Sequence, residues 1–248
     1  MQESVTILNF KKWPKPRKML AILLAAIFLF ILIIGVIIAL SVNSKKYYFA
    51  DEKQLYVYYA DIESSLVRAK QRASEIASAG GAGVVLSSGE KFYICAFIYS
   101  NEADAKTIKE RNKTNFPNSG VLIKKTQKLT SRAKKVLKND EDARSCVHLL
   151  EDLFNKFWAL SVDIDKNNIG EVKVFNTVFG EYEKVAEKAS AMSDIHSIIS
   201  YTYDDCASVL KEFLSKADTF TERSSGVKKL CFEMVKIYNN LADVLNNK

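Results

Sequence analysis

The chain has 248 residues, 48% apolar and 26% charged, with 36 Lys+Arg against 29 Asp+Glu for a net charge of +7. That length and mixture allow one or two globular domains and exclude a disordered or collagen-like chain. Four Cys are too few for a disulfide-built miniature scaffold, and two distant His, His148 and His196, argue against a His-rich metal site.

The first 18 residues carry five basic groups (Lys11, Lys12, Lys15, Arg17 and Lys18), one acid, Glu3, and Trp13. Residues 19–40 follow, 22 residues without a charge or a polar side chain. A helix of that length spans about 33 Å, enough for the hydrocarbon layer. A core helix of a soluble domain would need a polar face, and none exists. The apolar region of a signal peptide usually runs only about 7–15 residues, although Ala39 and Ser41 make a passable cleavage pair. The expectation is a retained transmembrane helix. The basic tail 1–18 is expected to stay in the cytoplasm by the positive-inside rule, with Trp13 as an interfacial anchor. A single-pass cell-membrane protein with its remaining domains outside the cytoplasm follows. No concentrated basic footprint for nucleic acid is left over: residues 43–129 hold 14 basic and 9 acidic groups, and residues 130–248 hold 17 and 19.

After a linker over 41–53, residues 55–60 (LYVYYA) form an aromatic, β-branched run that predicts a strand. Asp61 or Ser64 can cap a helix whose apolar positions Leu66, Ala69, Ala73, Ile76 and Ala77 lie on one face. The glycines at 80–83 end that helix and lack the Lys-Ser/Thr of a phosphate loop. Residues 83–86 and 91–99 predict two further strands around a turn at 87–90. Asn101 caps a second helix, and 121–125 predicts a fourth strand. The order is βαββαβ, a split unit with an antiparallel sheet and both helices on one face. Strand alternation puts Val57, Tyr59, Ile94, Ala96 and Ile98 under the helices. It puts Tyr56, Tyr58, Tyr93, Cys95 and Phe97 on the opposite face. That aromatic face either stacks on sugar rings or a partner, or is buried against the helical region that follows.

The two halves resemble each other. Tyr56-Val57 leads to Ala69, and Phe92-Tyr93-Ile94 leads to SNEADA at 100–105. On these residues the region 54–127 resembles the SPOR (sporulation-related repeat) domain of bacterial envelope proteins. The resemblance implies binding of septal peptidoglycan, especially glycan strands stripped of stem peptides, on the sheet face away from the helices. Where the family commonly carries Gln and Gly, this chain has Tyr58 and Ala60. Where it carries Arg and Gly, this chain has Tyr93 or Cys95, and Phe97.

Residues 128–248 predict helices throughout. Four apolar stripes run through Cys146–Trp158, Val172–Val185, Ile195–Leu214 and Val227–Leu245, with breaks at 165–168, 190–193 and 219–225. Short connections favour an antiparallel bundle, with a shorter leading helix near 131–137. Asp163, Asp165 and Asn167 suggest a cation loop, but Asn168 and Val174 stand where an EF-hand needs Gly and Glu. Neither His belongs to a Glu-x-x-His pair, and Cys95, Cys146, Cys206 and Cys231 show no paired spacing, which favours buried thiols.

The expected fold class is therefore α+β: an N-terminal transmembrane helix, a βαββαβ SPOR-like (ferredoxin-like split) domain over 54–127, and a helical bundle over 128–248. The expected function is non-catalytic binding of peptidoglycan or of wall-synthesis and division partners. The alternative is an extracytoplasmic protein–protein scaffold that touches no glycan. No cofactor, metal or nucleic acid is expected.

Overall fold

A computed structural model of the chain describes residues 51–192 and 197–247. Four strands, β1 (Gln54–Glu63), β2 (Val84–Ser88), β3 (Lys91–Tyr99) and β4 (Gly120–Lys125), form one antiparallel sheet in the order β2-β3-β1-β4. Two helices join them, α1 (Leu66–Ser78) between β1 and β2 and α2 (Glu102–Asn112) between β3 and β4. Five more follow: α3 (Ser131–Asn139), α4 (Glu141–Asp165), α5 (Glu171–Met192), α6 (Ser197–Lys216) and α7 (Phe220–Asn247).

The expected fold class and placement need correction. The described residues are mostly helical, seven helices on one four-stranded sheet, and none of these helices is long and apolar enough to cross a membrane. The physical reason is that each long helix is two-faced. The 25-residue α4 buries Cys146, Leu150, Phe154 and Phe157 on one side and carries Asp152, Lys156 and Asp163 on the other. The single-pass location, with a cytoplasmic N-terminus and extracytoplasmic domains, thus finds no membrane span among the described residues. Residues 19–40 and the tail with Lys11, Lys12, Trp13, Lys15, Arg17 and Lys18 lie outside the described residues.

Local chemistry sets several boundaries. Asn101 Oδ1 accepts from the Asp104 amide at 2.9 Å and starts α2. Asp140 does the same for α4 through the Ala143 amide at 2.9 Å. β1 runs three residues beyond the predicted run, so Asp61 lies in the strand rather than capping α1. Its carboxylate accepts from Arg72 Nε of α1 at 3.0 Å. The break predicted over 219–225 is mostly helix. Thr219 and Glu222 form a capping box, with Thr219 Oγ1 accepting from the Glu222 amide at 3.2 Å and Glu222 accepting from the Thr219 amide at 2.8 Å.

The sheet departs from simple alternation. Tyr58 lies opposite Phe97, Tyr59 opposite Cys95, and Asp61 opposite Ile94. Ala96 and Ala60 are the extra residues of two bulges, and each bulge resets which face the next side chain meets. Because directly opposed residues share a face, Val57, Tyr59, Tyr93, Cys95 and Ile98 form one face. Tyr56, Tyr58, Phe97 and Tyr99 form the other, beside α1 and α2. On that side Ala60 and Ile94 pack with Ala69, Ala73 and Ile76 of α1.

The bundle covers the second face. α4 packs along α7, α5 along α6, and α7 also lies on β3 and α1. Leu55, Val57, Cys95 and Ile98 share one continuous core with Cys146, Leu150, Phe154, Leu230, Met234 and Tyr238. The core therefore crosses the 127/128 boundary read from the sequence, and the described residues fall within one compact unit. Residues 126–130 are fixed to α7. The Gln127 amide donates to Asn239 Oδ1 at 2.8 Å and the Thr130 amide to Asn246 Oδ1 at 2.7 Å. Asn246 Nδ2 donates to the Lys128 carbonyl at 2.9 Å.

Gly226 sits inside α7 where α6 crosses it. A Cβ there would stand 2.5 Å from the Phe213 ring. Helix propensity alone would make Gly226→Ala stabilising by about 1 kcal/mol. The overlap reverses that, and a net loss of about 1–2 kcal/mol is expected in urea denaturation. Phe213→Leu in the same chain should return part of it; an unchanged or higher midpoint for Gly226→Ala alone would show that the crossing is looser than this.

Candidate functional site

The five sheet residues proposed from sequence do not form an open aromatic face. Tyr58, Cys95 and Phe97 are 3%, 0% and 3% exposed, and Tyr56 and Tyr93 are half-buried against the core. The bulges divide them. Tyr93 and Cys95 face the bundle, where the Tyr59 ring meets Tyr93 edge-on at 5.1 Å between centroids. Tyr56, Tyr58 and Phe97 lie on the α1/α2 side, where Phe97 meets Tyr99 edge-on at 4.8 Å. The surface on which the family resemblance would place glycan is protein interior here.

Two of these side chains do meet at a cavity. Tyr58, Phe97 and Tyr99 line it with Ile76, Ile108, Asn112 and Phe116 from the sheet helices and their loops, and Asp165 and Lys228 close it from the bundle. Lys228 is 8% exposed. Its Nζ donates to the Gly80 carbonyl at 2.9 Å, to Asp165 Oδ1 at 2.6 Å and to Ser224 Oγ at 3.3 Å. Ser224 Oγ donates to the same Gly80 carbonyl at 3.2 Å. Gly80 follows α1 with φ of +84°, the left-handed backbone that favours glycine, and this turns its carbonyl to the bundle. One buried ammonium thus ties the end of α1, the end of α4 and the start of α7. The sequence marks it only as a Lys beside the apolar stripe of Val227, Leu230 and Cys231, a position that needs a partner for its charge.

Among the described residues, Tyr58 Oη and Trp158 Nε1 are the buried side-chain polar atoms without a hydrogen bond. Burial raises the Tyr58 pKa, and Ser119 close by offsets this only in part. Burial also raises Tyr99, with the Asp165 and Asp104 carboxylates adding to it. Both phenols are neutral donors at ordinary pH.

The other candidates scatter. His148 Nδ1 lies 3.5 Å from Glu151 Oε2, and His196 lies outside the described residues. The Asp163–Asn168 stretch is a helix end, with the Asn168 amide on the Asp163 carbonyl at 2.9 Å and Asn167 left-handed. Among the described residues no cluster of His, Cys, Asp or Glu is placed to hold a metal ion. All four Cys are free and buried. Burial pushes the Cys95 and Cys146 thiols up to about 12 and raises Cys206 and Cys231 as well. A thiol reagent at pH 8 is expected to modify no cysteine in the native chain and all four once it is unfolded. Rapid labelling of the native protein would mean an opening that this packing does not allow.

The chain matches no family model, no curated protein and no solved structure, so the likeness of residues 54–127 to SPOR domains gains no support from relatives.

Proposed function

We propose that this protein is a non-catalytic protein-binding scaffold whose partner meets it on the exposed stripe of α5. The observation that supports this reading is the filled second face of the sheet. Glycan binding there needs an open surface, and the chain's own bundle occupies it. Apolar side chains are exposed elsewhere instead. Val172 and Phe179 of α5 are 71% and 41% exposed. Phe175 stacks on Phe179 at 6.2 Å, and Tyr182 follows at 6.5 Å. Positions 172, 175, 179 and 182 lie at spacings of three and four, a single stripe along the helix. Arg223 lies over the Phe175 ring at 5.5 Å and holds one end of it. Phe175 and Tyr182 are half-buried, and the apolar surface that Val172 and Phe179 leave in water beside them is the mark of a contact site.

A photo-reactive residue at Asn176, on the same exposed side of α5, tests this in the full chain in its native cells. The expected result is one discrete cross-linked protein, lost in Val172→Asp/Phe179→Asp and absent when the probe replaces Lys106 on α2. No cross-link, together with salt-resistant binding of the purified chain to peptidoglycan sacculi, would overturn the scaffold in favour of glycan.

A further inference from the structure

We propose that the cavity closed by Lys228 and Asp165 binds an uncharged, single-ring compound bearing a hydroxyl or amide group. This site is separate from the α5 stripe and does not rest on the scaffold reading.

Size is the first constraint. The cavity holds about 250 Å³. A benzene ring fits an apolar cavity of about 150 Å³, and one water takes about 30 Å³. The space accommodates one six-membered ring with one or two short substituents, and it excludes a peptide or a dinucleotide. Its walls suit such a ring. Phe97 and Phe116 offer aromatic surface, and Ile76 and Ile108 offer aliphatic surface.

Polarity narrows the ligand further. The Tyr58 ring is part of the wall, while its hydroxyl is buried out of reach of a ligand. Tyr99 and Asn112 supply hydrogen-bonding groups on the same wall. The Asn112 amide already donates to the Ile108 carbonyl at 3.0 Å, which leaves its oxygen as an acceptor. A ligand hydroxyl or amide can exchange hydrogen bonds with these groups, and a plain hydrocarbon would leave them unpaired.

Charge excludes the remaining classes. Lys228 uses all three N–H groups, on Gly80, Asp165 and Ser224. A carboxylate ligand would have to take Lys228 from Asp165, and an ammonium ligand would have to take Asp165 from Lys228. Either exchange separates an ion pair of which one member is buried, a costly step. An uncharged ring leaves the pair closed.

Four probes of similar size test this on the full chain by titration calorimetry: phenol, benzamide, benzylamine and benzoate. Phenol or benzamide is expected to bind saturably with Kd on the order of 1 mM, as suits so few atoms. Benzylamine and benzoate should bind at least about tenfold more weakly. Ala79→Leu should abolish binding, because Ala79 is an exposed residue lining the cavity and a larger side chain there takes up its space. Asn112→Ala should weaken phenol and benzamide about three- to tenfold. Saturable binding by none of the four, equal binding of the charged probes, or binding unchanged by Ala79→Leu would each overturn the proposal.

Discussion

Replacing Tyr238 by alanine is expected to cost about 3–5 kcal/mol of folding stability, while Tyr238→Phe costs about 1 kcal/mol. The ring is fully buried in α7, and its hydroxyl donates to the Gln127 carbonyl at 3.1 Å, in the segment that leads from the sheet to the bundle. The alanine variant removes an aromatic ring from the shared core, and the phenylalanine variant keeps the ring and removes the hydroxyl with its hydrogen bond to Gln127. Because the core is continuous, the loss should be felt on both sides of that segment. Urea denaturation should show one transition moved to a lower midpoint with the same slope. Amide exchange should show β3 and α4 losing protection together. Two transitions, with α4 outlasting β3, would mean that sheet and bundle are independent domains after all.

Glu181→Gln is expected to destabilise the protein by about 1.5–3 kcal/mol at pH 7, toward the lower figure because both partners are part-exposed. Glu181 is buried on α5, where it accepts from Lys156 of α4 at 2.5 Å and from Lys184 at 3.1 Å. Burial alone would raise its pKa, but the hydrogen bonds and charges of the two lysines outweigh this and hold it below the ordinary 4.5. The folded state therefore releases this proton more readily than the unfolded chain does. The stabilisation is fully present above the unfolded value and is lost as pH falls through the lower folded one. The difference between wild type and Glu181→Gln should be largest near neutrality and should close below pH 4. A difference that stays constant down to pH 3 would assign Glu181 to packing alone.

The sequence showed the strand and helix order over 54–125 and the four apolar stripes, because both are local periodicities. Asn101 as a cap was legible for the same reason. The face assignment failed at Ala96 and Ala60. Each bulge adds one residue to one strand, and an alanine in a strand gives no warning of it. The result exchanged partners: Phe97 joined the helix side while Ile98 and Val57 joined the bundle side. The covering of the second face was named as one of two outcomes, but choosing between them needs contacts between β3 and α7, more than a hundred residues apart. Thr219 and Glu222 did carry a legible capping box, which the serines at 224 and 225 obscured as an apparent break. The Lys228 tie could not be foreseen, since its partners Gly80, Asp165 and Ser224 come from three separate stretches.

The position of α7 along the chain has a consequence for biosynthesis. The βαββαβ unit is complete once Lys125 has been made, yet the helix that lies on β3 ends near Asn247. At ribosomal rates of about 5–20 residues per second, the roughly 120 intervening residues take on the order of 6–24 s. Throughout that interval Leu55, Val57, Cys95 and Ile98 lack the helix that shields them in the finished protein. A nascent chain would carry an apolar sheet surface into a crowded cell, where holdase chaperones and other unfinished chains compete for it. Premature stops within α7 should therefore yield insoluble protein rather than a smaller folded one, and the closing helix is the step on which the yield of the whole molecule depends.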